Sequence, residues 1–189
     1  MAGNRYFPPD FDPQASYAAL VTVHPGGGVK EQTAGRYAGK LAERGYVTLA
    51  FDASHQGESG GDPHHLEDPA ARVEDIRAAV DFLQSLDYVD AERIGVWGIC
   101  AGGRYAVNAA MTDHRIKAVG IVSALDIGAS WRRGWYGTGL DSDAVPTLAA
   151  AARQRTAEAR GAATVFSPYV AAEPDKDTPM TWCRPVSIT

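Results

Sequence analysis

Two short glycine-rich segments hold the residue types that could do chemistry in this chain. In Gly98-Ile99-Cys100-Ala101-Gly102 a thiol sits at the centre of a G-x-nucleophile-x-G pattern. Its glycines suit a sharp turn between closely packed backbones, which forces the central residue into a strained conformation and presents its side chain. A cysteine opening a helix also feels unpaired N–H groups and the positive end of the macrodipole, both of which favour the thiolate. The alternative is a small buried cysteine in a tight turn. In His24-Pro25-Gly26-Gly27-Gly28 the glycines let backbone N–H groups approach an oxyanion with no side chain in the way. A plain strand-to-helix turn is the alternative there. Cys100 is thus a candidate nucleophile, and the N–H of Ala101 with that of Gly26 or Gly27 are candidate oxyanion donors.

A base and an acid are harder to place. The five histidines are His24, His55, His64, His65 and His114. His24 and His55 follow predicted strands at the sheet edge that carries Cys100, which makes them candidate internal bases. The stronger reading of His24 is that it shapes the glycine loop, and of His55 that it belongs to the polar loop at a pocket wall. His114 precedes a strand and falls at the opposite edge, as a surface turn residue. Asp126 follows the fourth predicted strand on the Cys100 edge and is the candidate acid. Asp52 reads instead as an acceptor that stabilises its loop, because the strand ending at His24 separates it from the strand of Cys100. His64-His65 lacks a third ligand at metal spacing, and Cys100 and Cys183 lack C-x-x-C spacing, so neither metal nor cofactor is expected.

Positioning these residues calls for strands alternating with helices. Residues 17–23, 46–51, 94–97 and 118–123 are short apolar runs of the kind buried on both faces of a sheet, with a fifth strand available from residues 3–7. Helices fit residues 32–44, the segment capped by Asp68 with Pro69 at its first position, residues 101–111, and the alanine-rich 146–160. That alternation predicts an α/β fold, a doubly wound and mostly parallel sheet covered on both faces. The expected order puts 46–51 outside 17–23, with 94–97 and then 118–123 on the other side, leaving 118–123 as an edge open to pairing with a second copy. Trp131, Trp135 and Tyr136 would line a cap or cover a core. The chain reads as a single domain with a core at 16–126, a helical cap-like segment at 127–165 and an irregular tail at 166–189.

The 189 residues match one domain, for which about 100–200 is usual. Hydrophobic residues at 45% and charged residues at 22% are those of a folded globular protein. A net charge of −5 argues against nucleic-acid and anionic-membrane partners, and no apolar run is long enough to span a bilayer. A cytoplasmic location and a small-molecule partner are the expectation.

The glycine loop, the Asp52…Gly57-x-Ser59 loop and the Cys100 turn together resemble the α/β-hydrolase superfamily, and within it dienelactone-hydrolase-like members with a cysteine nucleophile. Val29-Lys30-Glu31-Gln32, Leu66-Glu67-Asp68-Pro69 and Val73-Glu74-Asp75-Ile76-Arg77-Ala78-Ala79-Val80 carry the same likeness. The resemblance implies hydrolysis of carboxylic esters, lactones or thioesters through a Cys100 acyl-enzyme, with a histidine and an acid activating the thiol. It also implies a chain order of nucleophile, acid, histidine, whereas only His114 follows Cys100. The expectation is therefore a sheet truncated at its C-terminal end, lacking the acid–histidine part and the family's first strand. The alternative function is a catalytically incomplete hydrolase-fold protein that binds a small molecule or a partner.

Overall fold

The computed structural model describes residues 1–166, and the tail expected at 166–189 lies outside them beyond Phe166. Five strands form one sheet: β1 (Gly3–Tyr6), β2 (Tyr17–Val23), β3 (Val47–Phe51), β4 (Val89–Ile99) and β5 (Ile116–Val122). Their order is β1-β3-β2-β4-β5, with β1 antiparallel to β3 and every other pair parallel. The order β3-β2-β4-β5 and its parallel pairing are those expected from the apolar runs, and β1, for which the sequence suggested no place, adds an antiparallel strand outside β3. Helices α1 (Gly35–Ala42), α2 (Pro69–Gln84) and α3 (Ala101–Ala110) make the crossovers.

Local chemistry sets these boundaries. All five residues of β3 are buried, which is why its run has no polar alternation. The Asp68 side chain accepts from the N–H groups of Ala70 and Ala71 ahead of Pro69, closing the N-terminus of α2. On one face of the sheet Val73, Ile76, Val80 and Leu83 of α2 pack with Val21, Val96 and Tyr105. Full burial of a side chain the size of Ile76 or Leu83 contributes about 1.5–3 kcal/mol. On the other face Ala34, Ala38, Ala50 and Ile99 form a cluster of mainly small side chains that brings α1 close to the strands.

Two boundaries differ from expectation. Strand β4 begins at Val89, because Tyr17 pairs with Val89 and Ala19 with Ile94, so the polar stretch between is accommodated by a register shift. The helix expected from residue 32 begins as a π-helical turn at Lys30–Ala34, with Gln32 outside helical geometry (φ −81, ψ −131), before α1 proper.

By its contacts the chain divides into two units, Met1–Ile127 and Gly128–Thr189. Helix α4 (Ile127–Arg133) opens at that boundary. The second unit then has a 3₁₀ turn (Asp141–Ala144) and α5 (Val145–Ala159), with Arg133 bidentate on Asp141 at 2.8 and 2.9 Å. Among its described residues only Ala144 is buried, and Trp131, Tyr136, Leu140 and Leu148 are exposed. No helix among the described residues is long and apolar enough to cross a membrane.

Candidate active site

Strand β4 ends at Ile99 and α3 starts at Ala101, so one residue makes the whole turn. That residue, Cys100, has φ 54 and ψ −120, a conformation that L-residues other than glycine adopt only under constraint. The constraint is visible on both sides. A Cβ on Gly102 would lie 2.5 Å from Val23 O and 2.7 Å from His24 O, and one on Gly98 would collide with the backbone of Gly102 and Gly103. Strand and helix can meet this closely only because both positions lack side chains. The Cys100 N–H donates to Val122 O at 2.9 Å, and Leu125 N–H donates to Cys100 O at 3.1 Å. The free thiol is partly buried beside the Ala34–Ile99 cluster, and Ala101 supplies the first N–H of α3.

The packing of Gly102 against Val23 and His24 sets the start of α3 beside the glycine loop. In that loop Gly28 N–H donates to Pro25 O at 3.1 Å and Gly27 N–H to Glu67 Oε2 at 3.3 Å. The N–H of Gly26, by contrast, has no acceptor among the described residues.

His24 is fully buried and engaged at both ring nitrogens. Ala53 N–H donates to Nε2 at 3.1 Å, which leaves the ring proton on Nδ1, donated to Pro25 O at 2.7 Å. Arg72, itself buried, donates from Nη2 to His24 O at 2.6 Å and brings Nη1 to 3.1–3.2 Å from the ring. Burial first, and then the Arg72 charge, lower the His24 pKa to about 4 against smaller opposing effects of Pro25 and Asp52. The imidazole is therefore neutral at pH 7, and its one lone pair is committed to Ala53. It anchors the loop between β2 and β3.

Asp52 and Lys30 form a second buried anchor. Asp52 Oδ1 accepts Lys30 N–H at 2.7 Å, and Oδ2 accepts Lys30 Nζ at 2.8 Å and Glu58 N–H at 2.9 Å. Burial alone would raise the carboxyl pKa, but these hydrogen bonds outweigh it and hold Asp52 below the usual range. Burial would likewise lower the pKa of Lys30, but the hydrogen bonds to Asp52, Glu31 and Glu58 reverse that and raise it. Gly57, at φ 53, is where any Cβ would strike the Asp52 carboxylate. Asp52 is thus the loop-stabilising acceptor its position predicts.

The other candidates lie apart from the thiol's contacts. His55 at φ 69 points Nδ1 to Pro63 O at 2.9 Å, inside its own loop. Among the described residues, neither His24 nor His55 hydrogen-bonds the Cys100 thiol. Asp126 is exposed one residue beyond the Leu125 that caps the Cys100 carbonyl, on the correct edge. His114 is exposed two residues before β5, at the far edge. No group of three potential metal ligands clusters among the described residues. A cavity of about 330 Å³ lies between β1, β3 and α2, lined by Met1, Leu49, Phe51 and Phe82 among others and by none of the candidate site residues.

Sequence reasoning missed Arg72, Lys30, Tyr105 and the contacts of Glu67. A signal existed for Arg72: it falls in line with Ile76, Ala79 and Leu83 on the apolar stripe of α2, where an unpaired charge would not be tolerated.

A mostly parallel sheet in this order, with a strained residue between strand and helix at its C-terminal edge, defines the α/β-hydrolase fold. The model of the dienelactone hydrolase family matches residues 10–123, and the chain belongs to that family. It is similar to the protein YcjY of Escherichia coli (strain K12), 57% identical over 153 residues, covering 81% of this chain and 50% of YcjY. The crystal structure of PA2218 from Pseudomonas aeruginosa is also similar, with a TM-score of 0.82 and 39% identity over 88% of this chain and 51% of that one. The thiohydrolase aneE of Aspergillus aculeatus is 36% identical over 106 residues, 56% of this chain and 33% of its own length. The chain thus spans about half the length of the first two relatives.

Proposed function

We propose that this chain carries the nucleophile and oxyanion part of a hydrolase acting on carboxylic esters, lactones or thioesters. The observation that carries the reading is Cys100 at φ 54, held between Gly98 and Gly102 at the N-terminus of α3. The thiolate attacks the substrate carbonyl carbon, and the oxyanion so formed lies between the N–H groups of Ala101 and Gly26. Collapse expels the alkoxide or thiolate with the bonding electron pair, which takes a proton from water, and leaves an S-acyl enzyme. Membership of the family supports hydrolysis, and the likeness to a thiohydrolase supports including thioesters. Release of the acyl group requires a base to activate water, with Asp126 as the candidate acid behind it.

A second reading, a domain that acylates but does not turn over, is favoured by one observation. Among the described residues no imidazole hydrogen-bonds the thiol, and the lone pair of His24 is already used. The test is p-nitrophenyl acetate with wild type and Cys100→Ala. Sustained release of p-nitrophenolate that the substitution abolishes supports the first reading. One equivalent released as a burst, again abolished, supports the second. Release unaffected by Cys100→Ala refutes both.

A further inference from the structure

We infer that Glu67 is the positioning residue that sets the separation of the two oxyanion donors. The inference rests on Cys100 being the nucleophile. Glu67 is one-fifth exposed at the end of the loop that precedes α2, and each carboxylate oxygen has a different job. Oε2 accepts Gly27 N–H at 3.3 Å, which fixes the peptide plane next to Gly26. Oε1 accepts the Tyr105 hydroxyl at 3.0 Å, and Tyr105 stands one helical turn after Ala101 on the same face of α3. One carboxylate therefore ties the loop bearing the Gly26 donor to the helix bearing the Ala101 donor.

The loop needs such a tie. Three consecutive glycines have more conformational freedom to lose than any other triplet, and Gly27 sits at φ 64. The tie is itself held: Arg72 Nε lies 3.8 Å from Oε1, and the guanidinium sits 5.1 Å over the Tyr105 ring. Since Gly27 N–H is taken up by Glu67, Gly26 is the glycine whose N–H is left to donate, which favours it as the partner of Ala101.

Two reactions at one sulfur test this. In acylation by p-nitrophenyl acetate the thiolate forms a C–S bond, the aryl C–O bond breaks, p-nitrophenolate leaves, and an oxyanion develops on the way. Alkylation by iodoacetamide displaces iodide from a saturated carbon and develops none. Both rates are measured for Cys100, resolved by peptide mass, in the full chain. Glu67→Ala is expected to slow acylation about tenfold or more, as misplaced donors do, with alkylation within twofold of wild type. Glu67→Gln keeps an acceptor for Gly27 and is expected to recover most of the loss, and Tyr105→Phe, which removes one hydroxyl from a stable helix, should fall between. Equal slowing of both reactions, or unchanged acylation in Glu67→Ala and Tyr105→Phe, overturns the role of Glu67 alone. Release of p-nitrophenolate that survives Cys100→Ala overturns the reading beneath it as well.

Discussion

A histidine with a pKa near 4 is a stabiliser at neutral pH and a liability in acid. His24 is neutral in the fold down to about pH 4, whereas in the unfolded chain it takes up a proton near its ordinary value of 6.5. The unfolded state therefore binds more protons between those two values. Stability from this group is complete above pH 6.5 and is lost as the pH falls toward 4, about 3 kcal/mol in all. Urea midpoints between pH 7.5 and 4.5 should decline accordingly, and His24→Asn should begin lower at pH 7.5 but decline less. Asp52 adds its own loss only below its ordinary 3.8, so the two windows separate. The part of His24 in shaping the loop was legible from its place between a strand and a glycine run. Its pairing with Arg72 was not: the place of Arg72 on the apolar stripe of α2 signals burial, but nothing local names a partner that lies 48 positions away.

At the scale of elements, the loops after β2 and β3 are joined through one buried ion pair. Lys30 opens the π turn after the glycine loop, and Asp52 is the first residue beyond β3. Lys30→Met would leave a fully buried carboxylate with backbone donors but no cation, and a loss of about 3 kcal/mol in unfolding free energy is expected. Adding Asp52→Asn should restore part of it, since the stranded charge is then removed; denaturant titration of the single and double variants measures this. The strands of this layer were readable because β3 and the end of β4 are buried on both faces and so appear as unbroken apolar runs. The π turn was not, because Gln32 to Arg44 carries a helical spacing that gives no sign of the kink at Gln32 itself. The early start of β4 was hidden for the opposite reason: Asp90, Glu92 and Arg93 are charged and residues 90–93 are mostly exposed, and only the pairing of Tyr17 with Val89 reveals a strand there.

At the scale of the whole molecule, β5 is the outermost strand on its side of the described sheet, with Lys117, Ala118 and Ile121 exposed. An edge of this kind presents unpaired N–H and C=O groups to another chain. We propose that two copies associate there. Light scattering should give a mass above one chain that falls with dilution, and Ile121→Lys, which puts a charge on the edge, should shift the population to monomer. A single-chain mass at all concentrations for the wild type would sink this proposal. The sequence announced the edge through strand order alone, and the division after Ile127 falls where the apolar strand pattern of the core gives way to the helical segment expected from residue 127.

The same outer strand also governs the proposed nucleophile. Cys100 N–H is held by Val122, the last residue of β5, and Cys100 O by Leu125 just beyond it. Cys100 thus hangs between pegs driven into the rim of the sheet. Fraying at that rim, ordinarily harmless wear at the periphery of a protein, here slackens the backbone on which the thiol is mounted.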